Sequence, residues 1–217
     1  MREVNLLDSY PRAKRPISAN RSADPNNRAV ARRFGREYFD GDRTQGYGGY
    51  RYDGRWVAVA HRFTEFYQIA AGDRVLDVGC AKGFMLHDLR QVVPGVEVYG
   101  VDISEYAIRQ SLDDVRCRLS VGSAEHLPYP DDSFDLVVSI NTIHNLPRDR
   151  CMEATREIQR VSRRYKYIQV DSWLNDEQRK NLEHWVLTAV TCLDPEGWRS
   201  LFRQAGYAGD YYWTLTE

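Results

Sequence analysis

The chain has 217 residues, 42% hydrophobic and 28% charged, with a formal net charge of −1. That balance suits one globular domain with a real core plus an appendage, and it argues against bulk nucleic-acid binding. Four scattered cysteines, Cys80, Cys117, Cys151 and Cys192, show no C-x-x-C spacing, which speaks against a disulfide framework or a zinc site; no metal is expected.

The opening residues, MREVNLLDSYPRAKRP, lack the apolar core of a signal peptide. No later run approaches the roughly 20 apolar residues of a membrane span, so a soluble cytoplasmic protein with reduced thiols is expected. Residues 1 to about 24 are polar, proline-punctuated and basic. They read either as a mobile tail or as an arm that closes over a substrate or packs on a second subunit, giving a homodimer. Asp24 before Pro25 reads as a helix cap, and Ala29, Val30, Arg33, Phe34, Glu37 and Tyr38 continue as one amphipathic helix. DGDRTQGYGGYRYDG, residues 40–54, breaks that pattern. It is either a plain connection whose rings lie over a neighbouring core, or the lid of an acceptor pocket. In the second reading Tyr47, Tyr50 and Tyr52 stack or hydrogen bond, and Arg43, Arg51 or Arg55 meets an anion. Helical spacing then returns from Trp56 to Ile69.

Val75, Leu76 and Val78 form a short apolar strand that runs into Gly79-Cys80-Ala81-Lys82-Gly83, with helical spacing from Phe84. Strand, bare turn, helix is the order a ligand-binding corner needs, because glycine lets the backbone approach a ligand and the helix offers its positive end. Asp77 sits at the strand end, where a buried carboxylate needs a partner such as a ligand ammonium. Lys82 reads as a solvated lysine at a helix start in preference to a contact for a ligand carboxylate. Further strands are expected at Glu97–Val101, Arg116–Val121, Phe134–Ile140, Tyr165–Val170 and Tyr211–Leu215. Helices are expected after Ser104, over Arg148–Arg160, near Asp176–Thr188 and over Pro195–Gln204. This alternation is α/β: a doubly wound, Rossmann-like, mostly parallel sheet of six or seven strands with an N-terminal helical and loop extension.

The dinucleotide fingerprint started at Gly79 would need glycines where Ala81 and Phe84 stand, and a phosphate-binding turn would need Ser or Thr after a Gly-Lys pair. Neither fits. Asp102 stands 19 positions after Gly83 at the end of the second strand, placed to accept both hydroxyls of a ribose. The ligand is expected to be a nucleoside without a pyrophosphate.

At this point the chain resembles the class I S-adenosylmethionine-dependent methyltransferases over roughly residues 56–207. VLDVGCAKGF looks like the family's first motif, VYGVDIS like its ribose motif, and GSAEHLPYPDDSFDLVVSINTIHNLP like its adenine loop and fourth strand. The match is nearest to the small-molecule branch related to quinone-biosynthesis methyltransferases. The resemblance implies S-adenosyl-L-methionine as cofactor, with Asp77, Gly79, Cys80, Ala81 and Gly83 at its methionine end and Asp102 at its ribose. It assigns Ile103, Ser123, Ala124 and Glu125 to the adenine and Ile140 beneath the methyl donor. Ala81 replaces the family's middle glycine, and Ser123 its usual aspartate. The family also implies a seventh, antiparallel strand, which here is expected to be missing or displaced. Residues 1–55 then form a substrate lid and 56–217 the cofactor domain.

His144, just beyond the fourth strand, is the first candidate for a general base, or else a histidine holding its own loop. Asp171, after the fifth strand, is a second acceptor-side carboxylate or a helix cap through Ser172. The corner Asn141-Thr142-Ile143-His144 lacks the Asn/Asp-Pro-Pro-aromatic motif of amino-group methylation on nucleic acids, and no Pro-Cys nucleophile is present. The expected reaction is methyl transfer to O or N of a polar small molecule: a sugar, nucleotide-sugar or natural-product intermediate. The alternatives are a macromolecular acceptor and a non-catalytic cofactor-binding protein.

Overall fold

The computed structural model describes residues 1–11 and 21–216. Its strands are β1 (Arg74–Val78), β2 (Glu97–Asp102), β3 (Leu119–Val121), β4 (Phe134–Ile140), β5 (Ser162–Ser172) and β6 (Asp210–Leu215). They form one sheet in the order β3-β2-β1-β4-β5-β6, and every neighbouring pair is parallel. Parallel strands need crossovers, and the crossovers put helices on both faces.

Side chains alternate across each strand, so both faces must be covered. On one face α3 (Val57–Tyr67) and α4 (Phe84–Val92) bring Phe63, Tyr67, Leu86 and Leu89 against Val75, Val98 and Leu136. On the other, α7 (Arg148–Val161) and α9 (Pro195–Gln204) bring Ala154, Ile158, Trp198 and Phe202 against Leu76, Val78, Val137 and Ile168. The chain winds outward from β1 to β3 and then returns to β4 on the far side of β1. That reversal opens a crevice at the carboxyl ends of β1 and β4, where ligands of such sheets bind.

Several sequence expectations are corrected. The helix expected to run past Tyr38 is two helices, α1 (Pro25–Ala31) and α2 (Arg36–Asp40). Phe34 turns left-handed (φ +50) just before Gly35, the residue that begins α2, and this redirects the chain. The third strand begins at Leu119 and not at Arg116, because Asp113–Arg116 forms a helical turn, α6, with two aspartates in its first turn. The crossover through α9 delivers β6 parallel to β5; among the described residues no strand runs antiparallel in this sheet.

Residues 1–10 are not a loose tail. Val4 N–H donates to Tyr211 O (3.0 Å) and Tyr211 N–H to Arg2 O (3.0 Å), so the segment lines the outer edge of β6. Leu6 is fully buried beside Phe63 and Tyr167, and Arg2 donates twice to Asp210 (2.8 and 2.7 Å). The arm therefore packs on its own chain, at an edge that a second subunit would otherwise use. Arg12, Lys14 and Arg15 lie outside the described residues. Among the described residues no helix is long and apolar enough to cross a membrane.

Candidate active site

The corner after β1 is built from backbone. Gly79 (φ +90) and Gly83 (φ +74) take left-handed conformations that suit glycine, and Ala81 (φ +48) shares that region with a side chain attached. Gly79 and Cys80 N–H both donate to Val101 O (2.7 and 3.2 Å), which ties the turn to β2. A side chain at Gly79 would overlap Thr142 from the loop after β4. Gly83 begins α4, and a Cβ there would meet Leu119 and Val115 at 2.9 and 3.0 Å. Cys80 turns its thiol toward Gly100 of β2, with Ala81 O at 3.9 Å, and burial pushes its pKa well up.

Two carboxylates flank this corner. Asp102 at the end of β2 accepts Ala81 N–H (2.7 Å) on one oxygen and Ser104 N–H (2.8 Å) on the other. Burial raises it, and these two amides act against the rise. Asp77 is 7% exposed, and its carboxylate has no hydrogen-bond or ion-pair partner among the described residues. It is pushed up to about 7, first by burial and then by Asp102. An orphan buried carboxylate beside a bare turn suits a cationic ligand group, and a pinned carboxylate at the end of β2 suits a diol; the residues fit the ammonium and ribose of S-adenosylmethionine. Among the residues expected at the adenine, Glu125 accepts from Ser123 Oγ (2.9 Å) and pairs with Arg150 (2.5 Å), while Ile103 is 58% exposed. Ala124 packs against the second core layer, and Ile140 against the first.

A roof covers these strand ends, and it corrects the reading of Lys82. That side chain is buried, and its ammonium donates to both oxygens of Asp40 (2.9 and 2.7 Å) and to Tyr50 O (2.8 Å). Tyr106 OH, from α5 (Glu105–Arg109), also donates to Asp40 (2.7 Å). Ser104 Oγ donates to Phe34 O (2.5 Å). The loop over residues 40–54 thus rests on the turn. Tyr50 stacks on Phe84 with centroids 4.8 Å apart, Tyr47 lies 4.5 Å from Tyr50, and Tyr52 meets Phe84 edge-on and donates to Asp88 (2.6 Å). Tyr38 faces Tyr47 and Thr188, and burial raises it. Arg43 donates to Tyr47 O (2.6 Å) and lies over Trp185, Arg55 pairs with Asp53 (2.5 Å) and lies over Tyr10, and Arg51 is exposed. The far side of the roof is tied down by Arg32, which donates to Ala189 O (3.3 Å).

The sequence reading missed Phe34, Tyr38, Phe39, Asp40 and Tyr106. Their signal was an aromatic cluster followed by one acid before the glycine loop, and nothing local showed that it folds back onto residues 82–106.

On the acceptor side, His144 is buried in a short 3-10 turn, Ile143–Asn145. Its Nδ1 accepts Asp171 N–H (3.0 Å), so the neutral ring carries its proton on Nε2, 3.7 Å from Asp171 Oδ2. Burial lowers its pKa and Asp171 opposes this. His144 O also accepts Val190 and Thr191 N–H, both at 2.9 Å. The histidine holds its loop and faces a carboxylate at once. Among the described residues no group of three or more His, Cys, Asp or Glu is placed to hold a metal.

The fold is a Rossmann-like α/β sheet with a glycine corner at the point where its strand order reverses. Residues 75–164 match a family model described as a methyltransferase domain. The chain is 34% identical over 97 residues to 27-O-demethylrifamycin SV methyltransferase of Amycolatopsis mediterranei, covering 41% of this chain and 35% of that one. It is 35% identical over 77 residues to the mitochondrial arginine-hydroxylase NDUFAF5 of Rattus norvegicus, covering 34% of this chain and 22% of that one. The chain thus spans well under half the length of these curated relatives. Among solved structures, the YcgJ protein from Bacillus subtilis has the same fold, with a TM-score of 0.55 at 23% identity over 67% of this chain and 66% of that one. Residues 75–164 thus match a methyltransferase domain, set in an α/β sheet of the same fold as that structure.

Proposed function

We propose that this protein is an S-adenosylmethionine-dependent methyltransferase whose acceptor is a polar small molecule, such as a sugar, nucleotide-sugar or natural-product intermediate. The observation that carries the reading is the orphan Asp77 beside a glycine turn, with Asp102 pinned by two amides. The roof supports a small acceptor, because α1, α2 and the tyrosine loop cover the strand ends where a polymer would need an open groove. The likeness to a methyltransferase named for a rifamycin supports it too.

In this reading residues 56–217 hold the cofactor and residues 1–55 supply the lid. Asp77 meets the ammonium of the methionine end, while the backbone of Gly79, Cys80, Ala81 and Gly83 forms its cradle. Asp102 takes the ribose hydroxyls, and Ile103, Ser123, Ala124 and Glu125 line the adenine, with Ile140 beneath the donor. When bound, S-adenosylmethionine supplies a methyl group already activated by a sulfonium. The chain's task is to orient the acceptor in line and keep water out. Tyr47, Tyr50, Tyr52 and Arg51 are the proposed acceptor contacts. A hydroxyl acceptor must lose a proton; His144 Nδ1 is occupied by Asp171 N–H and Nε2 carries the ring proton, so the carboxylate of the His144–Asp171 pair is proposed to take it, and an amine needs less help. Four free cysteines support a cytoplasmic setting. A macromolecular acceptor is the second reading, favoured by the likeness to a protein named an arginine-hydroxylase.

Calorimetry with S-adenosylhomocysteine tests the proposal. The wild-type chain is expected to bind it, and Asp102→Ala to weaken binding at least about tenfold, which is roughly 1.4 kcal/mol. His144→Ala is expected to spare that affinity and lower turnover. Failure of the wild-type chain to bind sinks the proposal, and normal turnover in His144→Ala removes the pair as base.

A further inference from the structure

At the opposite end of the sheet from the corner, the start of β5 meets the start of β6 around a cavity of about 380 Å³ lined by Arg2, Arg164, Tyr165, Lys166, Gly209 and Asp210, among others. Lys166 is the residue that needs explaining. It is 8% exposed, yet its ammonium has no hydrogen bond or ion pair to any described residue. The nitrogen is not among the side-chain atoms sealed away from solvent, and the residue is one of those that line this cavity. Its stem lies along Gly209, where any side chain would collide with it. Glycine at 209 therefore keeps a channel for the lysine. Burial holds the ammonium below its ordinary range, against a smaller pull from Asp132.

A buried cation without a direct partner is costly; Asp132 pulls on it without forming an ion pair, and Asp210 and Asp135 are already engaged. Asp210 accepts two bonds from Arg2 (2.8 and 2.7 Å) and one from Tyr67 OH (3.1 Å). Asp135 accepts two from Arg163 (2.8 and 2.5 Å) and one from Arg74 N–H (2.8 Å). Arg164 reaches Asp73 and Asp135 only at 3.7 and 3.8 Å, beyond hydrogen-bond distance. Lys166 thus brings an ammonium without a direct partner, and Arg164 a guanidinium held only by long ion pairs, to the residues that line this cavity. We infer that this cavity is a binding site for a small oxyanion, of the phosphate or carboxylate class, with Lys166 as its central contact and Arg164 at its rim. The site is separate from the corner after β1 and does not depend on the methyltransferase reading. Because Arg2 joins the same cavity, an anion there would also steady the first residues on the edge of β6.

The test uses the whole wild-type chain, whose lysines are Lys14, Lys82, Lys166 and Lys180. Acetylation by acetic anhydride is followed at each lysine by peptide mass spectrometry, in inorganic phosphate, in acetate and in chloride at matched ionic strength. Near-saturating phosphate or acetate is expected to slow Lys166 at least about tenfold and to leave Lys180 within about twofold. Stronger protection by phosphate assigns phosphate monoesters, and stronger protection by acetate assigns carboxylates. Equal Lys166 rates in all three salts would overturn the inference. So would phosphate heats in Lys166→Gln that match the wild type, since the expected result is at least about a tenfold loss of affinity.

Discussion

Asp77 is placed where folding and binding want opposite charges. Its folded value of about 7 lies well above the roughly 4 of an unfolded aspartate. Between those values the folded chain holds the proton more tightly, so this group's contribution to stability is fully present below about pH 4 and is lost as the pH rises to about 7. Above that the cofactor-free fold carries an unpartnered buried charge, which a ligand ammonium would offset. Asp77→Asn is therefore expected to raise the melting temperature of the cofactor-free protein at about pH 8 and to leave it nearly unchanged at about pH 4. The same change should weaken S-adenosylhomocysteine at least about tenfold. Melting curves at both pH values and calorimetry check this, and undiminished affinity would take Asp77 out of the site. The carboxylate and its strand were legible from spacing; that nothing else in the fold pairs with it was not. Ala81 was likewise legible as a departure from glycine, and its φ of +48 shows the consequence, a strain of about 1 kcal/mol.

Between elements, the main link is the Asp40–Lys82 pair that joins α2 to the turn before α4. Their side chains are 24% and 7% exposed, so removing one partner leaves a poorly solvated charge and is expected to cost on the order of 3 kcal/mol of roof stability. Asp40→Asn should speed amide exchange over residues 36–54 while leaving α7 protected, and should hasten dissociation of S-adenosylhomocysteine. Exchange and stopped-flow release measure both; unchanged exchange in that segment would show that the pair does not hold the roof. Local pattern served some elements well. β4 matches the expected Phe134–Ile140 and α9 the expected Pro195–Gln204, because an unbroken apolar run and a proline-led helix each carry their own boundaries. It failed at Phe34, where apolar spacing continues through a left-handed turn that periodicity cannot register.

For the molecule as a whole, the first ten residues belong to the core. Leu6 is fully buried among residues of α3 and β5, with Val4, Leu7 and Tyr10 packed partly buried against the same core. Leu6→Ala is expected to cost about 3 kcal/mol and to lower the melting temperature by about 6–12 °C. Thermal unfolding measures this, and a loss under about 1 kcal/mol would mean that the segment is only loosely docked. Val4, Leu6, Leu7 and Tyr10 make too short an apolar run before the proline-punctuated stretch to show by itself where it packs, and so the segment read as a tail. The edge of β6 gives that leucine its place.

By itself the sequence determined the alternation of strand and helix, the glycine corner, and the acid at the end of β2. Each of these is set by residues within a few positions of one another, where backbone preference and side-chain period act directly. Only the tertiary structure decided that Lys82 is paired, that the unprotonated nitrogen of His144 accepts an amide, that β6 runs parallel, and that Lys166 lines a cavity. These depend on partners such as Asp40 and Lys82, 42 positions apart. The period of a sequence says which way a side chain points, and only the packed fold says what it meets.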